Sequence, residues 1–158
     1  MAAGDSVRFN QFKLDRGKGI HDLSSDTIKF ALIKGAANSG LDPTATTADP
    51  RWGAGGTTDL SSHEVTAGGN YSAGGVTATV SWTESSGSVQ LDLSAAAPQL
   101  QWLQHASNPT NARWIIGYND TAAGKQAICY IDLGAVKDMT AGDLEYTADA
   151  TNGLFTET

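Results

Sequence analysis

Between Val76 and Leu93 apolar and small polar residues alternate almost without interruption. Val76, Ala78, Val80 and Trp82 alternate with Thr77, Thr79, Ser81 and Thr83. After Ser85-Ser86-Gly87, Val89, Leu91 and Leu93 alternate with Ser88, Gln90 and Asp92. Successive side chains of a strand point to opposite faces, so a period of two demands half-buried antiparallel strands. The stretch therefore predicts a hairpin, Val76–Glu84 and Ser88–Ala95.

The same pattern extends along the chain. Thr27–Ile33 reads as a strand with Ile28, Phe30 and Leu32 inward. Gln99–Leu103 follows Pro98 with Leu100 and Trp102 on one face. Arg113–Tyr118 reads as buried on both sides at its centre, and Gln126–Leu133 returns beside it. Leu144–Ala148 and Leu154–Thr156 flank Asn152-Gly153, a strong hairpin signal. About eight strands with turns at short spacing predict an all-β, single-domain antiparallel β-sandwich or jelly-roll-like barrel over 1–158. Residues 1–26 form an N-terminal helix or arm and a turn. Val7, Phe9, Phe12 and Leu14 fall near one face of a helix that Gly17 and Gly19 stop. From Gly35 to about Asn70 the pattern is lost in a Gly- and Pro-rich stretch, and structureless loops of that length are usually functional or mobile.

At 158 residues the chain can bury a core without staples. A net charge of −7 argues against phosphate-backbone binding and against anionic lipid, so neither nucleic acid nor membrane is expected as a partner. Charged residues make up only 17%, so Ser, Thr, Asn and Gln must supply much of the polar surface. The opening Met1-Ala2-Ala3-Gly4-Asp5 has no leader pattern, and the apolar runs are too short to span a bilayer. The lone Cys129 lies in an apolar run and reads as a small buried hydrophobe.

Residues that could carry chemistry are scattered. His21, His63 and His105 lack metal-ligand spacing, and one cysteine makes no zinc pattern. Gly53-Ala54-Gly55-Gly56 has neither the preceding strand nor the lysine of a phosphate loop. Asp59, Ser61 and His63 are neighbours in sequence, which is not a triad. Glu84 and Asp92 could face each other across the hairpin, as paired carboxylates in glycosidases do, or simply solvate its polar face. No catalytic, metal or cofactor residue is predicted, and the chain reads as a non-enzyme. Trp82, Trp102 and Trp114 fall on the apolar phase of strands and are expected in the core. Trp52, beside Arg51 in the long loop, reads either as an exposed interface anchor or as a lid on the core. Arg51 and Trp52, with Phe9 and Phe12 of the arm, are the candidate interface residues.

The order of several short elements resembles a family of small tailed-bacteriophage virion proteins. They are Phe9-Asn10-Gln11-Phe12-Lys13, Asp26-Thr27-Ile28-Lys29-Phe30-Ala31-Leu32 and Gly69-Asn70-Tyr71-Ser72-Ala73-Gly74-Gly75-Val76. Ala112-Arg113-Trp114-Ile115-Ile116-Gly117-Tyr118-Asn119-Asp120-Thr121 and Tyr130-Ile131-Asp132-Leu133-Gly134 follow. Met139-Thr140-Ala141-Gly142-Asp143-Leu144 and Asn152-Gly153-Leu154-Phe155 close the series. The resemblance implies a virion structural protein made in the host cytoplasm. With the size and the β reading, it points to a capsid decoration (cement) protein on the outer surface of the head. Its implied partner is the phage major capsid protein, and its implied state is a homotrimer. A tail, neck or fibre-base component and a host-glycan-binding module are the alternatives. The 35–70 stretch, richer in Gly, Pro and Trp than the family's usual loop, is where this chain would meet its neighbours.

Overall fold

The computed structural model describes residues 4–157; Met1–Ala3, on which the leader reading partly rested, and Thr158 lie outside them. The chain enters through β1 (Ser6–Arg8) and α1 (Asn10–Gly17), then forms β2 (Ile28–Ile33). Two short strands, β3 (Pro50–Arg51) and β4 (Thr58–Asp59), lie within the long 35–70 segment. The remaining strands are β5 (Val76–Ala78), β6 (Val80–Ser85), β7 (Ser88–Leu93), β8 (Leu100–Trp102), β9 (Ala112–Asn119), β10 (Ala127–Lys137), β11 (Leu144–Tyr146) and β12 (Phe155–Glu157).

The central sheet has the order β1-β10-β9-β2-β5 and is antiparallel throughout. A three-stranded sheet, β12-β7-β6, and the pair β11-β8 supply side chains to the core on one of its faces. Phe30, Leu32, Ile115 and Ile131 from the central sheet meet Leu91, Leu93, Trp102 and Phe155 in that core. The architecture is all-β and sandwich-like. This agrees with the expected antiparallel sandwich, and the central sheet does not close into a barrel: its order ends in two short edge strands, β1 and β5.

The predicted strand Val76–Glu84 is two strands. β5 pairs with β2 in the central sheet, whereas β6 pairs with β7 in the other layer. The chain changes sheets at Thr79, whose carbonyl accepts from Ser94 N. The hairpin turn itself is as expected: Ser86 (φ 54°) and Gly87 (φ 83°) give the paired positive φ of a type I′ turn, whose twist suits flanking strands. The described strands number twelve rather than about eight, the extra ones being pieces of two or three residues.

Two other expectations are corrected. Val7 is not helical: it pairs with Tyr130 in β1, and α1 starts only after Phe9 N bonds Ile128 O. Asn152-Gly153 does turn, tied by Asp149 Oδ1 to the N–H groups of Thr151 and Asn152, but it joins no hairpin. The strands either side go to different partners, β11 to β8 and β12 to β7.

The central strands are covered on both faces. Odd-numbered Ala31 and Ile33 of β2, with Trp114, Ile116 and Tyr118 of β9, pack into a second cluster with Trp52 and Leu60. A register shift between Ala127 and Cys129 in β10 puts Ile128 and Cys129 in the first core and Tyr130 in the second. The 35–70 segment is thus a built cover rather than a mobile loop. Beyond β5 it also completes the edge of β2: Lys34 N bonds His63 O, and Val65 N bonds Leu32 O.

Tyr71 finishes that edge with its side chain. The hydroxyl accepts from Leu32 N at 3.0 Å and donates to Glu64 Oε1 at 2.8 Å. Burial and the adjacent Glu64 raise its pKa far above the ordinary tyrosine value, so it stays a neutral donor. Tyr71→Phe should cost about 1–3 kcal/mol, because a buried N–H loses its acceptor. A urea transition with a lower midpoint and unchanged slope would show it.

Candidate functional site

The four candidate interface residues are not laid out on a surface. Phe9 and Phe12 are fully buried and sit on opposite faces of the central sheet. Phe9 packs on Tyr130 with ring centroids 5.1 Å apart, and Phe12 packs on His21 and Phe155. Their reading as contact residues is corrected: β1 pulls the chain onto the sheet, and both rings go inward to either side. Of the expected helix face only Leu14 is strongly exposed.

Trp52 is the lid. It is 6% exposed and stacked on Tyr118, centroids 4.9 Å apart and planes 11° from parallel. Its backbone N–H donates to Lys125 O, and Leu60 N donates to Arg51 O, so the segment is fastened on both sides of the ring. Arg51 turns outward into a bidentate pair with Asp49, Nε to Oδ1 at 3.1 Å and Nη2 to Oδ2 at 3.0 Å. The glycines of 53–56 serve this packing. Gly53 and Gly55 have φ of 129° and 111°, and a Cβ on Gly56 would lie 2.3 Å from Asp49 O. The structure therefore unites Phe9 with Trp52 in one buried cluster, places Phe12 in the other, and leaves Arg51 half-buried at the lid's rim.

The candidate chemistry resolves into local structure. Asp59 Oδ1 accepts from both the N–H and the hydroxyl of Ser61, which makes a turn. Glu84 stands opposite Val89 and Asp92 opposite Ser81, so the two carboxylates do not face each other. Trp102 and Trp114 are buried. Trp82 is half-buried, edge-on to Phe155, with the Arg16 guanidinium 5.5 Å from its ring centre. Cys129 is fully buried, and burial pushes its thiol up to about 11, which leaves it protonated and inert. Among the described residues no group of three or more His, Cys, Asp or Glu is placed to hold a metal ion. No described helix is long and apolar enough to cross a membrane. A cleft of about 640 Å³ beside β11 is lined by Asp5, Ser6, Glu145 and Asp149 among others, with no histidine or cysteine.

The most elaborate polar site escaped the sequence reading. Asp15, His21 and Asn119 are all buried where α1 meets the end of β9. Asn119 Nδ2 donates to Asp26 Oδ2 and lies 3.2 Å from His21 Nδ1. An amide NH2 only donates, so Nδ1 accepts and the neutral ring carries its proton on Nε2. Asn119 Oδ1 meanwhile accepts from Thr121 N and Ala122 N, capping the turn after β9. In the sequence its one trace is Asn119-Asp120-Thr121, residue types that favour a turn.

Burial holds the His21 pKa below its ordinary 6.5, against Asp15 and Asp26, which pull it upward. Below about pH 6.5 the unfolded chain therefore binds more protons than the folded one, and stability should fall as pH drops through that value. Thermal melts between neutral and mildly acidic pH should show that slope. A His21→Gln variant should flatten it.

Compared with known proteins, the chain matches no family, no curated protein and no solved structure.

Proposed function

We propose that the chain is a phage virion structural protein that decorates the head, binding the major capsid protein across capsomer junctions as a homotrimer. One observation supports this reading most. The stretches that resemble the phage family include those that build the joints of the fold. Tyr71 and Gly74-Gly75 join β2 to β5; Asn119 and Asp120 close the turn after β9; Asp132 holds Arg113 across β9 and β10. The resembling stretches also run through β2, β9 and β10, so the likeness follows the frame of the fold, and it brings the family's structural role as the leading reading.

In this reading the molecule works by presenting surface. Trp52 holds the 35–70 cover rigid from within, and the exposed Asn38, Ser39, Thr44 and Thr46 of that cover face outward as a neutral polar surface toward the shell. Binding to the assembled shell but not to its dissociated subunits stabilises the shell by mass action. Attachment through several copies makes the later contacts effectively intramolecular, so each can be modest.

A density reconstruction of the virion that encodes this chain, with copy number from quantitative protein analysis, tests the reading. Density at three-fold or pseudo-three-fold positions on the outer shell, at high copy number, is the expected result. Density at the neck, tail or fibre base would move the protein there. None on the particle would overturn the virion reading.

A further inference from the structure

Two exposed patches of opposite charge lie toward the two ends of the central sheet. They sit within a mixed distribution, in which Asp26 and Asp120 also stand at the first end and Lys137 at the second. Tyr118 pairs with Ala127 at one end of the β9–β10 ladder, and Ala112 pairs with Lys137 at the other. The tail of α1 lies at the first end, where His21 meets Asn119. Lys13, Leu14, Gly17 and Lys18 form its exposed face, at positions that share one side of a helix. Arg8 and Arg16 stand beside them, both paired with Glu157. Lys13 and Lys18 take part in none of the ion pairs among the described residues.

At the opposite end the fully exposed charges are acidic, with Lys137 half-buried beside them. From Asp138 onward the sequence has no lysine or arginine, and Asp138, Asp143 and Glu145 are all exposed. Leu103 is held beside them, since Gln104 N donates to Asp143 Oδ1 and Gln104 Nε2 to Thr140 O. Val136 lies next to Lys137 at the same end. The large apolar side chains most exposed among the described residues are Leu14 at 53%, Leu103 at 53% and Val136 at 44%. They fall on these two ends and nowhere else. An apolar centre with a charged rim is the anatomy of a protein interface, and here the two rims have opposite signs.

We propose that copies of this chain associate head to tail, the basic α1 face around Leu14 docking on the acidic end around Leu103 and Val136 of the next copy. A two-fold contact through either patch would set Lys13 and Lys18 against themselves, or Asp138 and Glu145 against themselves, and like charges in register oppose binding. Pairing the two ends removes that conflict. Because the patches lie at opposite ends of one sheet, the contact is heterologous, and it closes into a ring if the rotation per copy allows. At a net charge of −7 the copies otherwise repel, so the α1 face is where a second copy is drawn in. The inference is independent of the virion reading, since it concerns the purified chain alone.

Sedimentation velocity over a concentration series, at about 0.1 M and about 1 M salt, tests it. Wild-type protein should self-associate at the lower salt and weaken at the higher. Lys13→Glu with Lys18→Glu should weaken association at least about tenfold, and so should Asp138→Lys with Glu145→Lys. All four reversals in one chain should restore it. Leu14→Ser, at a solvent-exposed position that leaves the core untouched, should weaken association while the melting curve stays in place. A wild-type chain that remains monomeric at every concentration would overturn the proposal. So would association indifferent to the reversals and to Leu14→Ser, or a four-fold reversal that fails to recover it while the chain stays folded.

Discussion

Gly75→Ala should abolish the fold or cost more than about 4 kcal/mol, the range reached only by severe core and backbone disruption. A Cβ at this position would stand 1.9 Å from the carbonyl oxygen of Phe30 and 2.6 Å from Cα of Ala31. Both obstacles are backbone of β2, a central strand, and neither can swing aside as a side-chain tip would. The residue also has φ +73°, where any side chain adds strain. The joint between the long cover and β5 would have to open, taking with it the ladder Phe30↔Val76. Gly87→Ala is the control. Its φ is +83° but nothing lies within 4 Å of the added Cβ, so the cost should be only about 1–2 kcal/mol. Urea unfolding of the two variants side by side gives the comparison. Equal midpoints for both would show that Gly75 does not approach β2 so closely.

Trp52→Ala should destabilise the protein by about 3–5 kcal/mol, as large-to-small changes of buried aromatics do. The ring fills the second core between the cover and Tyr118, and removing it leaves a cavity under a segment with little regular structure of its own. Trp52→Phe keeps an aromatic face on Tyr118 and should cost clearly less. Chemical denaturation of both variants checks the order. This changes how a binding experiment would be read. Had Trp52 been an exposed anchor, its loss would lower attachment in a stable molecule; as a lid, its loss lowers attachment by loosening the surface that attaches.

Much of the fold was readable because alternation is a direct imprint of strand geometry. The β6–β7 hairpin, its Ser86-Gly87 turn, and the heavily buried β9 all announce themselves this way. The change of sheets at Thr79 does not. Alternation continues unbroken across it, since the pattern records which face a side chain takes and is blind to which strand pairs with the backbone. Two-sided burial of β2 was hidden for another reason. Ala31 is small enough to pass for a solvent-facing residue, and its cover comes from irregular chain held by Trp52, Leu60 and single backbone bonds, which has no period. Val7 and Phe9 misled in the opposite direction: their spacing with Phe12 fits a helix, while β10 offered Val7 a ladder. Trp52 could be narrowed only to lid or anchor, because the choice depends on whether Tyr118 lies beneath it. The cluster of Asp15, His21 and Asn119 joins two stretches 98 positions apart, and the turn residues after Asn119 are its one local trace.

The ion pair between Arg8 and Glu157 closes a span of 149 positions, and among the described residues β1 has no ladder but the one it makes with β10. On the ribosome, at about 5–20 residues per second, β1 and α1 would wait roughly 7–30 s for the residues that complete their surroundings. Phe9 and Phe12, wholly enclosed in the finished molecule, stay uncovered for that interval. The early segment is therefore the natural place for a chaperone to hold this chain during synthesis, and a nascent chain stalled before β10 would present two bare phenylalanines to whatever lies near.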